Sequence, residues 1–207
     1  MIRNHSAKKV FLLDCTYKTN QYKLPLLHGT DVTATIETFT MLFYFMRQET
    51  EDFYKRTMCE LEKCLMAQNI HVDGSVFATD QEISLMNAIS TAFPIFESLL
   101  YIWHINKNIF AKQRASFSTE ESWREFGGIW QTPVNSASNV VYTERLDQLR
   151  QRVPLAVFSH LSLTWLYFKE RFFVVWTHNT KYFEHPSTSR VESAHAALKR
   201  MATGFRW

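Results

Sequence analysis

Apolar and polar positions follow two different periods along this chain. Val10, Phe11, Leu12 and Leu13 form an unbroken apolar run, extended by the β-formers Thr16 and Tyr17, which predicts a strand over 9–19. Residues 24–33 and 35–45, set apart by short polar breaks, predict two more strands in hairpin-linked antiparallel succession. Over 49–68 the period changes. Phe53, Met58, Leu61 and Leu65 recur every three to four residues for the most part, with charges between them, so the segment reads as an amphipathic helix of about five turns. A β-type run at 76–78 ends at Thr79-Asp80, after which Ile83, Met86, Ile89 and Phe93 return to helical spacing until Pro94. Residues 98–105 read as a fifth strand and 106–112 as helical.

Beyond Phe117 the texture is less regular. Charged, Trp-containing and Ser/Asn-rich segments mix up to Arg152, and 162–176 is dense in aromatics, more in keeping with core than with a base-stacking platform. We read 113–185 as an inserted, largely helical region. Pro186 then precedes a helix over 187–201, with Val191, Ala194, Leu198 and Met201 on one face. The order βββαβαβ, insertion, helix predicts an α/β fold: a mixed sheet flanked by helices, in one domain whose core is about 8–112 and 186–203. In such a sheet the strands carrying Asp14 and Asp80 can be neighbours.

Composition narrows the class. At 207 residues, 46% hydrophobic and 15% aromatic, the chain has ample material for one sizeable core, and five Gly with five Pro exclude a low-complexity protein. A net charge of +3 does not mark a strongly basic nucleic-acid binder, so any such surface is local. The longest apolar stretches, around 39–46 and 172–176, fall far short of the roughly 20 residues of a membrane helix, and no export signal is visible. Cys15, Cys59 and Cys64 lack metal-ligand spacing and read as reduced thiols of an intracellular protein, each a small buried hydrophobe.

The candidate chemistry lies in three carboxylates. Asp14 closes one apolar run, Asp80 closes another, and Glu192 sits in the last helix. An ionised carboxylate beside an apolar strand is costly unless paired, hydrogen-bonded or metal-bound. Oxygen-only ligands suit Mg²⁺ or Mn²⁺, and two such ions suit in-line phosphoryl displacement. Each acid also has a structural reading. Asp80 is placed as an N-cap, Glu192 completes a Ser-x-x-Glu capping box with Ser189, and Asp14 is open to a hydrogen bond from Thr16 or Asn20. His104 on an aromatic strand is by default a core histidine, and Lys18, Arg190, Lys199 and Arg200 are either phosphate contacts or solvated charges.

Four blocks carry a resemblance. Asp14-Cys15-Thr16-Tyr17-Lys18-Thr19-Asn20 with Pro25-Leu26-Leu27, Thr79-Asp80-Gln81-Glu82 with Met86-Asn87-Ala88-Ile89, Trp103-His104-Ile105-Asn106-Lys107-Asn108, and Ser189-Arg190-Val191-Glu192-Ser193-Ala194-His195 with Leu198-Lys199 together resemble the transposase domain of Mutator-like elements. The resemblance spans about residues 10 to 201. It implies an RNase H-like fold with a helical insertion before the last catalytic helix, and a DDE triad, Asp14, Asp80 and Glu192, that cuts and joins DNA with two Mg²⁺ (or Mn²⁺) ions. It further implies terminal inverted repeats and target DNA as partners, a nuclear address, and a fragment lacking an upstream DNA-binding module and C-terminal helices; self-association stays open. His104 matches the histidine of the family's Cys-x-x-His motif as a supporting residue, whereas Tyr101 stands at the Cys position. Lys23 stands where a glycine is common. The alternative reading is a truncated or domesticated relative that binds DNA or protein without catalysis.

Overall fold

The computed structural model describes residues 10–16, 22–32, 38–70 and 74–178. Three strands come first, β1 (Val10–Thr16), β2 (Leu26–Val32) and β3 (Thr38–Phe45), followed by α1 (Glu51–Ala67), β4 (Val76–Thr79), α2 (Ile83–Ala92) and β5 (Glu97–Leu100). They form a mixed sheet in the order β3-β2-β1-β4-β5. β2 pairs antiparallel with both β1 and β3, while β4 lies parallel to β1 on its other side, since α1 carries the chain back across the sheet. This α/β arrangement is compatible with an RNase H-like fold.

One face of the sheet is set by alternation. Phe11, Leu13, Leu27 and Phe77 point the same way and bury against Tyr54, Met58, Leu61 and Leu65 of α1 and Leu85, Ala88 and Ile89 of α2. Each such side chain contributes roughly 1.5–3 kcal/mol of burial. Phe77 is the hub, with ring centroids of Phe11, Phe93 and Phe96 at 5.1, 5.0 and 5.3 Å. Cys59 and Cys64 fall off the buried stripe of α1 and are exposed, correcting their expected burial; Cys15 is partly buried. Gly29, beside an irregularity in the β2–β3 pairing, lets the strands approach, because a Cβ there would lie 3.0 Å from Leu42 Cβ and 3.1 Å from Leu13 Cδ2.

The expected fifth strand over 98–105 is too long. It ends at Leu100, and α3 (Ile102–Gln113) starts after Tyr101, whose extended backbone makes the break. Ile105, Ile109 and Gln113 are buried at four-residue spacing, a helical period that the dense run of β-type residues concealed. His104 therefore sits on a helix.

Among the described residues, those up to Leu99 and those from Leu100 to His178 belong to two compact units. The second is helical among the described residues: α3, a 3₁₀ turn (Arg114–Ser116), α4 (Glu120–Val134), α5 (Asn139–Arg152), α6 (Leu155–Thr164), a 3₁₀ segment (Leu166–Arg171) and α7 (Val174–Thr177). Thr119 and Ser138 cap α4 and α5 through their hydroxyls, which accept from the Ser122 and Val141 amides. Of the aromatic run expected as core, Trp165, Phe172 and Phe173 are buried while Tyr167 is exposed; elsewhere in the unit Phe117 stacks on Phe126 at 5.0 Å, and Trp130 and Tyr142 meet Phe173 edge-on. Trp130 is fully buried and its indole donates to Asn106 Oδ1 at 2.8 Å. The helix expected over 187–201 lies outside the described residues.

Candidate functional site

Asp14 and Asp80 are brought side by side by strand register. β1 and β4 pair Val10 with Val76, Phe11 with Phe77, Leu12 with Ala78 and Leu13 with Thr79, a constant offset of 66 positions (79 − 13). The two aspartates are also 66 apart (80 − 14), so the next step along the ladder sets Asp80, the first residue after β4, beside Asp14. Neighbouring strands lie about 4.7–4.9 Å apart. Asp14 closes the apolar run but lies inside the strand, as the strand expected over 9–19 places it; Cys15 and Thr16 continue β1, and Asp14 is buried at 8% exposure.

The expected N-cap role of Asp80 is not observed. Glu82 holds that position, its carboxylate accepting from the Ser84 amide at 3.2 Å. The Asp80 backbone carbonyl accepts from the Thr79 hydroxyl at 2.9 Å and from the Glu82 amide at 2.8 Å, a tight strand-to-helix turn that fixes where this acid stands. Thr16, offered as a donor to Asp14, instead directs its hydroxyl to the Leu26 carbonyl at 3.5 Å. Asn20 lies outside the described residues.

Sequence reasoning overlooked His28. It is the cross-strand partner of Asp14 on β2, 1% exposed, with Nε2 3.0 Å from the Thr40 hydroxyl and its ring stacked on Phe43 at 4.8 Å and 12°. Its signal was the hairpin register, which becomes countable only once the strand ends are known. On the opposite face, Cys15 Sγ donates to Glu49 Oε1 at 2.9 Å, tying β1 to the approach of α1. Burial, then the Glu49 contact, push the Cys15 thiol far above its ordinary pKa, and burial does the same to the neighbouring Tyr54 phenol.

His104 belongs to the helical unit. Tyr101 is the N-cap residue of α3 and His104 its third residue, which sets the two rings together at 5.5 Å, with Trp103 at 4.8 Å from His104. The three-residue spacing of this motif is thus a first-turn pairing. Lys18, Arg190, Glu192 and Lys199 lie outside the described residues. Among the described residues no group of three or more His, Cys, Asp or Glu is placed to hold a metal, and no helix is long and apolar enough to cross a membrane. The Asp14–Asp80 pair is an oxygen-only donor set, which fits a hard divalent cation better than a thiolate-seeking one.

Comparison with known proteins agrees with this part of the chain. Residues 10–108, from the first residue of β1 into α3, match the family model described as the MULE transposase domain. A 106-residue stretch, 51% of the chain, is 29% identical to the PKS-NRPS hybrid synthetase cheA of Chaetomium globosum. The match spans only 2% of the length of that protein.

Proposed function

We propose, from the premise that residues 10–108 of this chain belong to the MULE transposase family, that Asp14, Asp80 and Glu192 form a DDE site that cuts and joins DNA strands. The carrying observation is the shared 66-residue offset of the β1–β4 ladder and of the two aspartates. A register slip of one residue would turn Asp14 to the other face of the sheet, so the ladder and the acid spacing must agree for both to serve one site.

In this reading Asp14, held rigidly in β1, and Asp80, fixed by its carbonyl hydrogen bonds, supply the first carboxylates, and Glu192 completes the cage. The chemistry of the donor set fits two Mg²⁺ or Mn²⁺ ions, which when bound supply Lewis-acid polarisation of a phosphodiester and lower the pKa of water. Lys18, Arg190 and Lys199 meet backbone phosphates, and His104 is the supporting residue that the family's motif implies. The substrates are terminal inverted repeats and target DNA, and the place of action is the nucleus.

The test is nicking of a plasmid carrying the inverted repeats by purified protein in Mn²⁺. Wild type is expected to nick it, and Asp14→Asn and Asp80→Asn to reduce the rate at least a hundredfold, the scale on which one electrostatic participant acts. DNA binding with no nicking above the Asp80→Asn level would instead assign the chain to non-catalytic relatives.

A further inference from the structure

The ladder that joins the two aspartates continues across the sheet to an exposed aromatic pair. Asp14 pairs with His28 on β2, and His28 with Phe43 on β3, so Asp14, His28 and Phe43 form one row over three neighbouring strands, and the offset of the β1–β4 ladder carries that row on to Asp80, just past the end of β4. The next row runs Thr16, Leu26, Phe45. Directly paired residues share a face, which places Phe43 and Phe45 on the face of Asp14. Both rings are half exposed, at 48% and 53%, although β3 is otherwise a strongly apolar strand at the edge of the sheet.

We propose that Phe43 and Phe45 are a stacking platform for an unpaired nucleobase beside the cleaved phosphate. This deepens the DDE reading and rests on it. Two strand spacings put Phe43 about 10 Å from Asp14, or about three base steps of 3.4 Å. One side of the Phe43 ring lies against His28, which Thr40 anchors, so the ring is preset for a flat partner on its other side. A base inside a duplex has both faces covered, whereas a base at an unpaired end presents a free π-face and stacks on an aromatic side chain without regard to sequence. The ligand class is therefore a DNA end with unpaired nucleotides within about three steps of the cut.

Fluorescence anisotropy of the whole chain in EDTA tests this with a labelled blunt duplex and the same duplex bearing a three-nucleotide overhang. Wild type is expected to bind the overhang roughly five- to hundredfold more tightly, the range of one aromatic–base stack. The double variant Phe43→Leu with Phe45→Leu should lose that preference while keeping its affinity for blunt DNA; Phe43→Trp should keep the preference, which separates stacking from misfolding. Equal binding of both duplexes by wild type, or a preference surviving in the leucine variant, overturns the proposal. So does sedimentation showing that the leucines merely dissolve a dimer. Because no metal is present, Asp80→Asn should retain the preference; a chain that shows it yet nicks equally with and without Asp80 loses the DDE reading and, with it, the platform's place beside a cleaved phosphate, and keeps only the stacking of an unpaired base.

Discussion

Lys23 shows how much one dihedral angle can hide. It precedes β2 with φ of 55°, in the left-handed region where a side chain costs about 1–2 kcal/mol and glycine nothing. The resemblance marks this position as one where glycine is common, but why it should be glycine becomes plain only from the backbone. Lys23→Gly is expected to stabilise the fold by up to about 1 kcal/mol after the extra entropy of an unfolded glycine is subtracted, read as a higher urea midpoint; an unchanged or lowered midpoint would show that the turn is not strained. The cysteines separate in the same way. Cys59 and Cys64 are exposed on α1, whereas Cys15 is partly buried and donates to Glu49. A thiol-disulfide reagent at pH 8 should therefore label two thiols rapidly and the third only on unfolding. Composition gives the number of cysteines, but their exposure depends on which stripe of α1 meets the sheet.

Turns and caps fix the acids at the scale of elements. The strand that holds Asp14, the strand that ends just before Asp80 and the helix after it were legible from hydrophobic period, because apolar runs and three-to-four spacing are local signals; the parallel pairing of the two strands was not. Cap identity was not legible: Asp80 and Glu82 are both acceptors before α2, and the tight turn at the Asp80 carbonyl passes the cap to Glu82. Glu82→Ala should cost about 0.5–2 kcal/mol in denaturant melts. Asp80→Asn keeps the carbonyl that accepts from Thr79 and Glu82, so it should cost less than Glu82→Ala; the reverse order would return the capping role to Asp80. The β5–α3 boundary failed for a related reason. Leu99 to Trp103 is rich in β-formers, and only the burial of Ile105, Ile109 and Gln113 discloses the helix. His28 escaped because pairing partners depend on strand ends that local patterns place only within a few residues.

For the molecule as a whole, the described residues form an α/β unit that carries the acid pair and a helical unit that carries His104 and the Trp130–Asn106 bond. Glu192 and the basic residues around it lie outside the described residues, and the third carboxylate enters through the resemblance carried by the block from Ser189 to Lys199. In the proposed reading, the ladder offset that matches the acid spacing builds a cage for a divalent cation. Calorimetric titration of Mn²⁺ into the purified chain tests it most directly. Micromolar binding by wild type, lost in Asp14→Asn and in Asp80→Asn while both variants melt as wild type does, is the predicted result; binding that survives both substitutions, or is absent from wild type, would contradict it.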